Sequence, residues 1–100
     1  MIVLMDMEWV QNPKRQVTPT QLSAVRVDAA WAVVSQFHAL CRPRDASFFC
    51  WENSAYAGFP KESFLNARTG RMVFDAFLKW MQPDDVLLWW AEMRRAFLPA

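Results

Sequence analysis

The first strand-like run of the chain is apolar on both of its alternating faces. Successive side chains of a β-strand point to opposite sides of a sheet. In residues 2–9 one side therefore carries Ile2, Leu4, Asp6 and Glu8, and the other carries Val3, Met5, Met7 and Trp9. Because both sides begin with apolar residues, the pattern predicts a strand that is covered on both faces.

Asp6 and Glu8 interrupt this apolar pattern towards the end of the run. Two neighbouring carboxylates repel each other and resist removal from water unless one is protonated or a cation lies between them. The pair is therefore a candidate metal site. The alternative is a solvated acidic patch at the end of a strand.

Two further strands are predicted before the period of the pattern changes. NPKRQ (12–16) has the composition of a loop. Residues 20–28 then alternate, with Leu22, Ala24 and Arg26 on one face. Residues 31–40 are rich in β-branched and aromatic side chains, and a short segment separates them from the preceding run, so we expect a β-hairpin.

Helical signals dominate the second half of the chain. Residues 48–59 predict a short helix that ends near Gly58, and Pro60 opens a further short turn. Thr69 is a candidate N-cap for a helix over 70–81. Its apolar face is expected to comprise Val73, Phe74, Phe77, Leu78 and Met81.

The remaining residues predict a short apolar strand over 86–90 and a final helix over 91–98. The whole order is an antiparallel three-strand meander followed by helix, strand and helix. Since crossover connections in a sheet are right-handed, the strand over 86–90 should lie parallel to the first strand and make it central. The sequence therefore predicts an α/β fold with a mixed sheet.

Composition and charge narrow the class of protein. The chain has 100 residues, enough for one small domain over 1–100, and 54% of them are hydrophobic. This hydrophobic fraction excludes a disordered chain. It also leaves more apolar surface than a short chain readily buries, so we expect self-association or a partner that completes the fold. The net charge of +1 gives no strong electrostatic indication of nucleic acid.

The chain carries no pattern typical of secretion or of a membrane. No basic leader precedes the first apolar run, and no segment approaches the roughly 20 apolar residues that cross a bilayer. Cys41 and Cys50 match no metal or redox spacing. We therefore expect a cytoplasmic protein without a membrane partner.

Several of these segments together resemble the DEDD-type 3′–5′ exonucleases, which have an RNase H-like fold. The segments that carry the resemblance are MDMEW (5–9), TQLSAVRVD (20–28), FHALCRP (37–43) and FDAFLKWM (74–81). The similarity runs along nearly the whole chain but corresponds only to the N-terminal half of such a domain. The implied fold is an incomplete RNase H-like mixed sheet.

The resemblance implies two-metal hydrolysis of phosphodiester bonds at the ends of single-stranded RNA or DNA. Asp6 and Glu8 match the first-motif carboxylates that hold Mg²⁺ or Mn²⁺, and so become the expected catalytic and metal-binding residues. The backbone around Met7 and Trp9 is implied to contact the terminal nucleotide. A segment that borders the substrate groove in this family contains Trp51 and Tyr56, which become candidate substrate-binding residues.

The sequence departs from the family at its second motif, W-G-x-x-D. Here it reads WAEMR, so that Arg94 stands at the acidic position, and a guanidinium cannot bind a metal ion. Glu92 is two residues away, roughly 200° around a helix. The third motif, with its general base, is expected beyond residue 100, and the single histidine, His38, lies on the predicted third strand instead.

We therefore expect a degenerate or truncated relative whose catalytic set is incomplete or inactive in this chain. The alternative function is a non-catalytic module derived from the same fold, which binds nucleic acid or forms oligomers. Lys14, Arg15, Arg42 and Arg44 are expected to be solvated loop charges, although loops that flank such a site could contact phosphates.

Overall fold

A mixed β-sheet forms the frame of the molecule in the computed structural model, which describes residues 1–49 and 58–89. Its strands are β1 (Ile2–Gln11), β2 (Val17–Val27), β3 (Val33–Leu40) and β4 (Val86–Trp89), in the spatial order β3-β2-β1-β4. β2 pairs antiparallel with both β1 and β3, whereas β4 pairs parallel with β1. The predicted α/β fold, with β1 in a central position, is confirmed. The helix predicted over 91–98 lies outside the described residues.

Three helical segments connect the meander to β4. They are a single 3₁₀ turn (Ala46–Phe49), α1 (Lys61–Leu65) and α2 (Gly70–Trp80). The predicted cap of α2 is confirmed, because the Thr69 hydroxyl accepts a hydrogen bond from the Met72 backbone N–H at 3.2 Å. Most of the helix predicted over 48–59 falls outside the described residues. No helix within the two described ranges is long and apolar enough to cross a membrane.

The β2–β3 hairpin forms as predicted, but β3 begins at Val33 and not at residue 31. The Asp28 carboxylate accepts hydrogen bonds from the N–H groups of Ala30 and Ala32, and the Asp28 carbonyl accepts one from Trp31. These bonds hold Trp31 in the turn with φ of 63°, a left-handed conformation that a strand does not adopt. The side-chain preference of tryptophan for strands is overridden by this local turn.

Helix α2 covers one face of the sheet and forms its larger core. The cluster comprises Val3, Met5, Leu22, Ala24, Cys41, Val73 and Phe77, all buried. The ring of Phe77 meets that of Phe37 edge to face at 5.6 Å and that of Trp80 at 5.9 Å. This face is called the helix face below. Burial raises the pKa of the Cys41 thiol to about 11, partly offset by Arg68, so the thiol stays protonated.

The buried surface of α2 is narrower than the sequence predicts. Val73 and Phe77, four residues apart, are fully buried against β2 and β3, whereas Phe74 and Leu78 are 45% and 54% exposed. A single helix laid on a sheet buries only the stripe that faces it, and each following residue is turned by about 100°. The outer part of the predicted apolar face is therefore solvent-exposed within the described chain.

A buried ion pair explains why Arg26 stands in the apolar row of β2. Its Nε lies 3.0 Å from Oδ2 of Asp85, its Nη2 donates to the Trp80 carbonyl at 2.7 Å, and its guanidinium lies 4.1 Å from the centre of the Trp80 ring. Oδ1 of Asp85 lies 3.4 Å from the N-terminal amine of Met1. The pair thus joins β2 to the end of α2 and to the start of β4.

Within residues 1–49 and 58–89, the opposite face of the sheet is covered only near the C-terminal end of β1. There Val10, Phe48 and Phe64 form a second, smaller core with Leu40 and Phe49 at its margin. Ile2, Leu4 and Asp6 on the same side of β1 are only half-buried. Among the described residues, the predicted covering of both faces of β1 is therefore present on the helix face and at one end of this open face, and is absent from the rest of the open face.

Candidate metal and nucleic-acid site

The carboxylates of Asp6 and Glu8 lie on the open face, on the strand that occupies the centre of the fold. Strand alternation puts both on one side of β1, as predicted, with Asp6 half-buried and Glu8 exposed. Asp6 pairs across the sheet with Ser23, and Glu8 pairs with Gln21. Neither carboxylate is fully removed from water, so burial alone does not require a cation between them.

A groove runs along the open face beside Asp6. It is a cavity of about 490 Å³ whose walls include Leu4, Asp6, Ser23, Val25, Gln36 and His38. One carboxylate, a hydroxyl, an amide and an imidazole therefore line a surface whose remaining wall is aliphatic. Such a groove can accept a ligand that combines a polar backbone with apolar rings.

His38 also lines this groove, although the sequence predicted only that it lies on the third strand and gave it no function. Ser23 pairs with His38 on β3 as well as with Asp6 on β1, so the three residues form one row across the sheet. The imidazole Nε2 lies 3.4 Å from Oε1 of Gln21, and its ring stacks against Phe59 at 6.2 Å. The register of the predicted hairpin was the signal that could have placed His38 opposite Ser23.

Met7 and Trp9, the predicted nucleotide contacts, direct their side chains away from the carboxylates. Met7 packs against the core under α2, and Trp9 is 41% exposed opposite Pro19. A ligand on the open face would therefore meet only the backbone of these two residues, which is the kind of contact that the family resemblance implies. The side chains themselves are not part of this surface.

The other predicted functional positions fall in segments that the structure does not describe. Trp51 and Tyr56 lie within residues 50–57, and Glu92 and Arg94 lie within residues 90–100. Their roles stay predictions from the sequence.

The described residues supply only part of a metal site. Among residues 1–49 and 58–89, no group of three or more His, Cys, Asp or Glu side chains could hold a metal ion. Carboxylate oxygens are nevertheless the ligands that Mg²⁺ and Mn²⁺ prefer, and both ions keep water or phosphate in several positions. Asp6 and Glu8 therefore fit such an ion as a partial set of ligands.

Comparison with solved structures finds the same arrangement of strands and helices. The nuclease domain of 3′hExo, a DEDDh family member whose structure contains rAMP, superimposes with a TM-score of 0.71 over 88% of this chain at 15% identity. The described fold is similar to that of part of a DEDDh exonuclease domain. Cell-death related nuclease 4 gives a TM-score of 0.69 at 16% identity, and E. coli Exonuclease I with an oligonucleotide gives 0.60 at 17% identity. The resemblance predicted from the sequence is thus confirmed for the fold.

The exonuclease-like fold is represented here only in part. The chain spans 50% of the 3′hExo nuclease domain, 34% of the cell-death related nuclease and 20% of Exonuclease I. No family model and no curated protein matches the sequence.

Proposed function

We propose that this chain forms part of a metal-dependent 3′–5′ exonuclease-like domain that binds the ends of single-stranded RNA or DNA. Asp6 and Glu8 would hold Mg²⁺ or Mn²⁺ in this domain. The observation that carries the proposal is the position of these carboxylates, side by side on the open face of the central strand of an exonuclease fold. The two oxygen ligand groups do not complete a hydrolytic site, so we propose that this chain alone binds without cleaving.

Each part of the groove has a function in this proposal. A divalent ion held there would neutralise the phosphate and polarise its oxygens. The Ser23 hydroxyl and the His38 imidazole line the same groove and can exchange hydrogen bonds with a phosphate or a sugar hydroxyl. Leu4 and Val25 form the apolar wall against which a sugar or base can pack. The backbone at Met7 would contact the terminal nucleotide.

Metal-dependent stabilisation tests the proposal directly. We expect Mn²⁺ or Mg²⁺ to raise the melting temperature of the wild type, because binding to the folded state alone stabilises it. Asp6→Asn should lose this rise. Asp75→Asn, which removes a carboxylate that is 55% exposed on α2, is the matched control and should keep it. A wild type whose melting temperature does not respond to either metal would contradict the metal site.

Degradation of 3′ ends tests the absence of cleavage. Short single-stranded RNA and DNA should remain intact with Mn²⁺, Mg²⁺ or EDTA, in the wild type and in Asp6→Asn alike. Metal-dependent shortening that disappears in Asp6→Asn would show that the chain is an active nuclease and that the proposed incompleteness is wrong.

A second candidate function, an oligomeric interaction module, rests on the exposed apolar residues. Val33 and Val34 on β3 and Val86 and Leu87 on β4 are 42–59% exposed, and these two strands form the edges of the described sheet. Unpaired strand edges with apolar side chains are surfaces on which another chain can add. Light scattering should then show a dimer or larger species, and a monomer at all concentrations would contradict this function.

A further inference from the structure

A second cavity lies at the far end of the sheet, away from the groove beside Asp6. It has a volume of about 460 Å³ and is formed by the start of β2, the loop that follows β3 and the start of α2. Its walls comprise Val17, Thr18, Pro19, Arg42, Pro43, Arg44, Thr69, Gly70 and Arg71. Three of these are arginines and none is acidic. This cavity is called the arginine cleft below.

The concentration of positive charge in the arginine cleft contrasts with the chain as a whole. The whole sequence has a net charge of only +1, whereas the lining of the cleft carries three guanidinium groups. Like charges that line one concave surface repel each other, and an anion placed among them relieves that repulsion. A guanidinium also matches the geometry of a phosphate, to which it can donate two parallel hydrogen bonds.

Hydrogen bonds to backbone carbonyls fix the loop that carries two of the arginines. The Arg42 N–H donates to the Arg68 carbonyl at 2.8 Å, and Arg42 forms an isolated parallel bridge with Thr69. The Arg44 Nη2 donates to the Val17 carbonyl at 2.9 Å, and its guanidinium lies 5.3 Å from the centre of the Phe48 ring. The loop is therefore held at both of its arginines before any ligand arrives.

Arg71 supplies a charge that is free to change partners. Its Nε lies 3.7 Å from Oδ2 of Asp75, and its side chain is 87% exposed. An exposed ion pair of this kind contributes little stability, so a phosphate can compete for the guanidinium. The start of α2 lies close to β2 at the same point. A Cβ atom on Gly70 would lie only 3.1 Å from Cγ of Pro19, so a side chain there would require a shift.

We propose that the arginine cleft binds the sugar–phosphate backbone of single-stranded nucleic acid. The choice of a nucleic-acid strand rests on the proposed function, whereas the excess of positive charge stands without it. The cleft is lined by the residues of β2 that pair with Trp9, Val10 and Gln11, immediately after Glu8 on β1. The cleft therefore lies at the end of the strand that carries the proposed metal-binding carboxylates. In this proposal it contacts phosphates of the bound strand that are not at the reacting bond.

Binding of a fluorescein-labelled single-stranded oligonucleotide, followed by anisotropy in EDTA, tests the arginine cleft without any contribution from metal. The test variant is the triple substitution R42Q/R44Q/R71Q. The charge-matched comparison is K61Q/K79Q, which removes two charges from residues outside the cleft, against R42Q/R71Q, which removes two from inside it. At low salt, we expect the affinity of the test variant for the oligonucleotide to be lower than that of the wild type by about tenfold or more. The K61Q/K79Q control should bind as the wild type does.

The salt dependence separates phosphate contacts from altered packing. Each phosphate contact to a single strand contributes about 0.7 to the slope of log affinity against log salt, so the triple variant should lose about 2 from that slope. R71Q alone should lose about 0.7. R71Q keeps the proposal testable if the triple variant does not fold. The Arg71 side chain projects into solvent, so we expect the single variant to fold.

Three outcomes would overturn the proposal. Equal weakening by R42Q/R71Q and K61Q/K79Q would show that only overall charge matters. Weaker binding with an unchanged salt slope would show that phosphates are not contacted. Binding of inorganic polyphosphate that depends on Arg71, without any binding of the oligonucleotide, would show an anion site with a different ligand. If the cleft binds the oligonucleotide as expected while the metal fails to stabilise the wild type, the proposed metal site fails and this inference stands.

Discussion

The two faces of the sheet use the same strands but differ in what covers them. On the helix face, α2 buries Val3, Met5 and Phe77 and encloses the Arg26–Asp85 ion pair. On the open face, Asp6 and the other groove residues line a cavity of about 490 Å³, and the described part of the chain covers only the second core near Val10. One face of each strand therefore contributes mainly to stability, and the other is available for binding.

This difference separates residues that are adjacent in the sequence. Met5 and Asp6 are neighbours, yet one is 5% exposed beneath a helix and the other borders a groove. Because strand side chains alternate, substitutions on the helix face should lower the free energy of unfolding. Substitutions on the open face should change ligand binding and leave the free energy of unfolding almost unchanged. The predictions below test that separation by comparing matched residues.

The largest effect is expected within α2, where two phenylalanines three residues apart differ in burial. Phe77 is 1% exposed, whereas Phe74 is 45% exposed. Phe77→Ala should lower the free energy of unfolding by about 3–5 kcal/mol, since it removes a ring from a closed core, and Phe74→Ala should lower it by about 1 kcal/mol or less. Urea denaturation followed by circular dichroism measures both. Equal losses would show that the outer side of α2 is also covered in solution.

A smaller effect is expected from neighbours on β1 that face opposite sides. Met5→Ala should lower the free energy of unfolding by about 2–4 kcal/mol, because its side chain lies in the core under α2. Leu4→Ala should lower it by about 1 kcal/mol, since this side chain is only half-buried beside the groove. The two are compared by denaturation at several protein concentrations. A Leu4→Ala loss that equals the Met5→Ala loss at high concentration alone would show that a second copy covers the open face.

Local signals in the sequence were enough to predict most of the fold. The alternation in β1 and β2, the cap at Thr69 and the apolar run of β4 correspond to elements that form as expected. These features depend on neighbours within a few residues, where periodicity and capping preferences act. The face shared by Asp6 and Glu8 followed from the same alternation.

Contacts between distant segments could not be predicted in the same way. Arg26 and Asp85 are far apart in the sequence, and nothing in either segment indicates that they form a buried pair. The exposure of Phe74 depends on how much of α2 the sheet can cover, and the arginine cleft depends on three separate segments that meet only in the folded chain. Such features follow from the packing of whole elements and not from local pattern.

The Arg26–Asp85 pair should give the helix face a dependence on pH. The hydrogen bond from the Gln82 backbone N–H lowers the pKa of the Asp85 carboxyl below its ordinary value of 3.8; burial opposes this effect, and Arg26 and the N-terminal amine add to it. A carboxyl whose pKa is lowered in the folded state stabilises that state above the unfolded pKa, and this contribution is lost as the pH falls through the folded pKa. The wild type should therefore lose stability progressively below about pH 5.

Asp85→Asn tests this dependence and is expected to have the smallest effect of the three changes. The variant should be less stable than the wild type at pH 7, and the difference between their melting temperatures should shrink as the pH is lowered below 4, because the carboxylate of the wild type is then being protonated as well. Asp84→Asn removes the same charge from an exposed neighbouring position and should change the free energy of unfolding at pH 7 by less than about 0.5 kcal/mol. A difference between wild type and Asp85→Asn that stays constant from pH 7 to pH 3 would show that the ion pair does not carry the pH dependence. The helix face would then owe its stability to apolar packing alone, and its contrast with the open face would rest on burial and not on charge.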